Sequence, residues 1–223
     1  RVHRSLPAKE RTMVGPFIFF DQAGPARIEP GQGVDVRPHP HINLATVTYM
    51  YEGSFLHRDS LGTEQLIEPG AVNLMTAGKG IVHSERSPDP DRMKLSKLSA
   101  IQTWLALPDR YEEMDPAFEH VGEGGLPIID CGHARARVIM GSLWGATSPV
   151  TTYANTIYAD IQLSPGGSVP IDAEAEERAI YVSGGDAALD GVMLQPQTLY
   201  VLRPGPRATL MSVDGGRVVL CGG

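Results

Sequence analysis

Cysteine is scarce in this chain: Cys131 and Cys221 are the only two among 223 residues. A small secreted domain stapled by disulfides carries more. Both are read as free thiols of a protein in a reducing cytoplasm, although the pair alone would suffice for one bridge. Long apolar runs are also missing. Residues 13–20 are interrupted by Gly15 and Pro16 and fall far short of the roughly 18 residues that cross a bilayer. No secretory leader is read at the first residues. Surplus positive charge is absent: 26 acidic against 19 basic residues give −7. That speaks against a general nucleic-acid binder, which needs a basic face. The basic opening (Arg1, His3, Arg4, Lys9, Arg11) is short and is read as a solvated terminal strand. No phosphate-cradling glycine loop occurs, since Gly122-Glu123-Gly124 lacks the third glycine and the helix that should follow. Ser60 and Ser84 lack a base and carboxylate arrangement, which leaves a hydrolase without support.

The chain is rich in punctuation instead. Its 25 glycines and 18 prolines separate short β-rich runs, among them residues 46–51 (TVTYMY), 157–163 (IYADIQL), 178–182 (RAIYV) and 217–220 (RVVL). Short strands at such spacing predict an all-β sandwich or barrel. Helical signal is confined to a turn or two between Pro108 and Phe118. The order strand, glycine turn, strand, Pro/Gly turn, strand occurs twice: Tyr49 to Gly53 resembles Ile180 to Gly184, and Thr76-Ala77-Gly78 resembles Arg203-Pro204-Gly205. Two tandem β-barrels, residues 1–125 and 126–223, account for the repeat, with the join in the glycine-rich stretch 121–127.

The histidines carry the chemistry. In Arg37-Pro38-His39-Pro40-His41 each proline fixes its own φ and pushes the preceding residue into extended conformation. In an extended chain residues i and i+2 point to one side, so His39 and His41 leave on a common face. The same spacing recurs in His83-Ser84-Glu85. Three imidazoles and one carboxylate on two strands form a common donor set for a first-row metal ion, which makes His39, His41, His83 and Glu85 the candidate ligands. His57, two residues before Asp59, is read as structural, hydrogen-bonded to Asp59 or to the hairpin backbone, because the donor set is complete without it. His120 and His133 fall near turn signals and are read as surface residues. The acidic run Asp172 to Glu177 is read as a solvated face, not a second cation site.

Four stretches together resemble the pirin family: Phe19-Phe20-Asp21, His39-Pro40-His41, residues 57–62 (HRDSLG) and residues 75–85 (MTAGKGIVHSE). The resemblance spans essentially the whole chain and is most specific between Phe17 and Trp104. It implies two cupin barrels (double-stranded β-helix, or jelly-roll, barrels) packed face to face, with one divalent metal ion in the N-terminal barrel held by His39, His41, His83 and Glu85. Many cupins carry a glutamate ligand shortly after the first two histidines. Here Ala45 and Thr46 stand at those positions, so Glu85 supplies the only carboxylate, as in pirins. Aligning the repeats places Pro170, Asp172, Leu210 and Ser212 at the four ligand positions, and the C-terminal barrel is expected to be metal-free. Pirins usually continue past the position of Gly222-Gly223, which implies a C-terminal tail missing from this chain.

The same resemblance implies quercetinase-type chemistry: dioxygenation of a flavonol or related aromatic ring, which opens it and releases carbon monoxide. The partners are then a small flavonol-like substrate and O2, and Glu85 is the catalytic base that takes the 3-hydroxyl proton. Fe(II) is the favoured ion, with Ni, Mn, Co, Cu and Zn as alternatives. Four protein ligands leave two octahedral positions open, whereas tetrahedral zinc would be saturated. Pirins are also regulators that act through protein partners, so a redox-dependent regulatory protein of the transcription-cofactor type is the alternative function. A purely structural ion is a third. No nucleic acid or membrane is expected to bind directly, and a monomer is expected.

Overall fold

The computed structural model of the protein describes residues 2–173 and 175–223; Arg1 of the basic opening and Glu174 of the acidic run lie outside them. Two compact units emerge, one formed by Arg1–Pro7 with Ile18–Gly125, the other by Ala8–Phe17 with Leu126–Gly223. The described elements are almost all β, as expected. Helix is limited to a short α1 (Asp89–Arg92), opened by Pro88 and Pro90, and to 3-10 turns at Asp109–Tyr111 and Glu123–Gly125. None of the described helices is long and apolar enough to cross a membrane.

Ten strands lead through the first unit: β1 (Val2–Leu6), β2 (Phe17–Ile28), β3 (Asp35–His41), β4 (Leu44–Glu52), β5 (Phe55–Asp59), β6 (Glu64–Ile67), β7 (Val72–Thr76), β8 (Ile81–Arg86), β9 (Ser96–Ala106) and β10 (Ala117–Val121). They form a sheet in the order β1-β2-β9-β4-β7-β10 and a second in the order β3-β8-β5-β6. β4 lies between β9 and β7 and is buried from Ala45 to Met50, so its run of β-branched and aromatic residues is covered on both faces. The turn that delivers β8 depends on glycine. Gly78 has φ +50°, and a Cβ there would stand 2.1 Å from the Met114 carbonyl oxygen.

The second unit contains β11 (Ile128–Asp130), β12 (Ala134–Leu143), β13 (Ala146–Thr147), β14 (Ile157–Leu163), β15 (Ser168–Ile171), β16 (Arg178–Gly185), β17 (Ala188–Leu189), β18 (Val192–Met193), β19 (Leu199–Val201), β20 (Ala208–Met211) and β21 (Gly216–Gly222). Its sheets run β11-β12-β14-β21-β16-β19 and β15-β20-β17-β18. The sequence repeat is therefore a repeat of topology: β14-β21-β16-β19 reproduces β2-β9-β4-β7, and β15-β20-β17-β18 reproduces β3-β8-β5-β6. Each unit has the two-sheet arrangement of a cupin barrel. The second encloses a hydrocarbon cluster that includes Val138, Ile161, Ile171, Ile180, Leu210 and Leu220, with Arg178 also buried.

Strand register corrects part of the expected repeat alignment. His39 pairs with His83, and His41 with Ile81. In the second unit Val169 pairs with Leu210, and Ile171 with Ala208. The counterparts of His39 and His41 are thus Val169 and Ile171, not Pro170 and Asp172. Leu210 remains the counterpart of His83. The one-residue slip matters because it exchanges the two faces of a strand.

Candidate metal centre

β3 is irregular where the histidines begin, with a register shift between Val36 and His39. Pro38, which has no N–H to give to a ladder, falls inside that irregularity. His39 and His41 then share a face, and cross-strand pairing sets His39 directly opposite His83 on β8. One ligand nitrogen from each of His39, His41 and His83 lies within 4.8 Å of the others. His41 and His83 are buried, and His39 is half-buried.

The geometry suits a metal ion. Nε2 of His39 lies 3.1 Å from Nε2 of His83. Two nitrogens about 2.1 Å from one ion, at about a right angle, stand roughly 3.0 Å apart. Nδ1 of His39 donates to the Arg37 carbonyl at 2.8 Å, which leaves the lone pair on Nε2. Burial, and then the neighbouring His39, push His41 down to about 4. His83 is pushed down to about 3 by burial and then by His39, His41 and His57, against an opposing pull from Asp59. Both rings are neutral at physiological pH and have lone pairs to give.

Glu85 stands apart from this trio. It shares the face of His83 on β8, is buried, and lines the same cavity. Its Oε1, however, lies 2.8 Å from Thr48 Oγ1. Thr48 Oγ1 is also 2.8 Å from Gln102 Oε1. A hydroxyl has one proton and cannot donate to both. The cluster is satisfied when Glu85 is protonated and donates to Thr48, or when Gln102 presents its amide nitrogen. Burial raises the Glu85 carboxyl above its ordinary range, while the Thr48 hydrogen bond and the neighbouring His57 and His39 oppose it. Three of the four expected ligands are therefore gathered together, and the fourth is held on the wall beside them.

The histidines open onto a cavity of about 480 Å³ lined mainly by hydrocarbon and aromatic groups, including Phe19, Phe55, Leu98 and Trp104. Trp104 stacks on Phe19 at 4.1 Å and 11°, and its ring lies edge-on to His41 at 5.0 Å. The Arg4 guanidinium covers Phe19 at 4.4 Å and grips Asp21 through two bonds of 3.0 and 2.9 Å. Sequence reasoning missed Thr48, Gln102 and Trp104. Thr48 and Gln102 face each other across β4 and β9. The available signal was a glutamine inside the mostly apolar run 98–107 (LSAIQTWLAL).

The remaining candidates find other places. His57 is buried, lies 3.0 Å from Asp59 through Nε2, and stacks on Phe118 at 4.4 Å. His120 is half-buried, with Nδ1 2.7 Å from Asn73 Oδ1, while His133 is exposed. Cys131 and Cys221 are both free; burial pushes the Cys221 thiol up to about 12.

Residues 1–105 match the pirin family. The chain is 42% identical over 225 residues to a pirin-like protein of Caulobacter vibrioides, an alignment covering 100% of this chain and 78% of that protein. It is also similar to the crystal structure of quercetin 2,3-dioxygenase from Acinetobacter baumannii, with 37% identity and a TM-score of 0.92, covering 100% of this chain and 73% of the other. The bacterial pirin YhhW of Escherichia coli, solved in complex with nickel(II), shares the fold at 19% identity and a TM-score of 0.76, over 99% of this chain and 90% of that one.

Proposed function

The chain belongs to the pirin family, and from that premise we propose that it is a metal-dependent dioxygenase of quercetinase type, which opens a flavonol or a related aromatic ring with O2 and releases carbon monoxide. His39, His41 and His83 hold one divalent ion, Fe(II) being favoured, and Glu85 is the carboxylate of the set. When bound, such an ion supplies Lewis acidity toward a substrate oxygen and, if it is iron, a partner for O2.

The residues of the chain supply the rest. Phe19 and Trp104 form a flat wall against which a planar ring can lie. The cavity volume of about 480 Å³ falls within the range of small-molecule sites. Its apolar lining excludes water, so few groups compete for a substrate proton. Glu85 takes that proton. A carboxyl raised by burial is a better base near neutrality than one in water, and Thr48 fixes one of its oxygens.

The observation that carries this reading is the convergence of three imidazole nitrogens on the wall of an apolar cavity. Similarity to a quercetin 2,3-dioxygenase supports the reaction type. The test is metal analysis of the purified protein, followed by O2 uptake and carbon monoxide release with quercetin on iron- and nickel-loaded samples. One ion per chain, with one carbon monoxide released per O2 consumed, is expected. A fully loaded site that consumes no O2 with flavonols or catechols would overturn the dioxygenase reading and leave the metal reading standing.

A further inference from the structure

Behind His83, away from the cavity, the hydrogen-bonding pattern leads to two groups that the proposed reaction does not use. Asp59 and His57 lie on β5, which pairs with β8 so that Asp59 stands opposite His83 and His57 opposite Glu85. The side chains of His57 and Asp59 are 2% and 0% exposed, too deep for a solvated surface pair. Asp59 Oδ1 accepts from the backbone N–H groups of Leu61 and Thr63 at 2.9 and 3.1 Å, and Oδ2 lies 3.0 Å from His57 Nε2. A carboxylate only accepts, so His57 Nε2 carries a proton, and in the relay the lone pair of the ring stands on Nδ1.

That nitrogen lies 3.5 Å from His83 Nδ1, a long contact. Facing a lone pair, His83 Nδ1 must be the protonated nitrogen, which leaves His83 Nε2 bare. His39 Nε2 is bare for the analogous reason, since its Nδ1 is committed to the Arg37 carbonyl. Two bare nitrogens then confront each other at 3.1 Å. With no proton between them the contact is repulsive, and a cation relieves it.

The second unit offers an internal control. There Leu189 stands opposite Leu210, as Asp59 stands opposite His83. Two residues upstream of Leu189, a buried Ala187 takes the place of His57. Where the three histidines become Val169, Ile171 and Leu210, the two residues behind them become hydrocarbon as well.

We propose that Asp59 and His57 are positioning residues of the metal centre: an Asp–His–His relay that holds His83 in the Nδ1–H tautomer, so that Nε2 is offered to the ion, and that raises the basicity of that nitrogen. This rests on reading the three histidines as metal ligands. Asp59→Asn discriminates well. Asn retains an oxygen for Leu61 and Thr63, but its NH2 group cannot accept from His57 Nε2. His57 then reverses its tautomer, His83 Nδ1 becomes the acceptor, and the proton moves to the ligating Nε2.

The test measures Co(II) affinity of the whole protein by chelator competition, together with the Co(II) ligand-field spectrum. Asp59→Asn and His57→Ala should bind about 10- to 100-fold more weakly than the unsubstituted protein. His57→Asn, which keeps an acceptor near the Nδ1 position, should recover much of the loss. Thermal midpoints of the metal-free variants separate a structural role: a lower midpoint with unchanged Co(II) affinity overturns the relay. Nitrogen-15 NMR of histidine in the metal-free, unsubstituted protein needs no variant to fold. It should show the proton on Nδ1 of His83, and finding it on Nε2 would overturn the relay. A protein that binds no Co(II) at all would instead overturn the metal reading beneath it.

Discussion

On β3 and β8 the inward positions are His39, His41, His83 and Glu85; on β15 and β20 the register places Val169, Ile171 and Leu210 at the points of the three histidines. The backbones follow one strand order and one pairing scheme. The interiors differ in kind. In the second unit hydrocarbon side chains fill the space between the sheets and contribute transfer and packing energy. In the first, a cavity of about 480 Å³ remains open beside buried imidazoles. Burying imidazoles costs desolvation energy that burying hydrocarbon does not, so at these positions the first unit forgoes stability that the second keeps. The comparison teaches that the barrel is indifferent to chemistry. A handful of inward side chains decides whether it is a packed core or a site.

The strongest way to break the contrast is to erase it. Carrying the second unit's residues into the first, as His39→Val, His41→Ile and His83→Leu together, should reduce bound metal from about one ion per chain to none and abolish turnover. The metal-free protein should unfold at higher denaturant than its parent, because hydrocarbon replaces polar groups that are costly to bury. Metal analysis and urea unfolding check both halves.

A narrower change tests the base. Glu85→Gln retains the contact with Thr48 and leaves the three histidines in place. Flavonol turnover should fall about 10²- to 10⁴-fold, as expected for loss of a general base, while metal stays bound. Turnover within tenfold of the parent would remove Glu85 from that role.

Leu210 sharpens the comparison from the other side. It is fully buried, so Leu210→Ala should destabilise the protein by about 2–5 kcal/mol without changing the metal content per folded chain. Equilibrium unfolding supplies the first number and metal analysis the second.

The smallest expected effect is a pH slope. His41 and His83 sit at about 4 and about 3, below the ordinary histidine value of 6.5. As pH falls from about 6.5 toward 4, the unfolded chain gains protons that the folded one refuses. The histidine contribution is complete above about 6.5 and is lost through that window. Glu85, raised by burial, works in the opposite sense. Denaturant midpoints of metal-free protein should fall between pH 7 and pH 5. In the triple hydrocarbon variant the slope should shrink or reverse.

Much of this was legible in the chain. The all-β class followed from glycine and proline spacing, and the shared faces of His39/His41 and His83/Glu85 followed from the two-residue period of a strand. The repeat was visible too, yet its alignment in β15 slipped by one, because turn residues fix a repeat's register only to within a residue or two. Thr48, Gln102 and Trp104 escaped notice because a polar residue in a strand betrays nothing about what faces it across a sheet. His57 was read as a structural hydrogen-bonding residue, and the structure selects Asp59 as its partner, but nothing local showed that its other nitrogen faces His83.

The sequence by itself determined which residues can ligate and which face each leaves on, because backbone stiffness and strand periodicity are local properties. Only the tertiary structure decided that β3 meets β8 with His39 opposite His83, that Glu85 turns to Thr48, and that Asp59 and His57 stand behind His83. Those are pairings between strands 20 to 50 residues apart, set by register and by competition for buried hydrogen-bond partners, and no local pattern encodes the outcome of that competition.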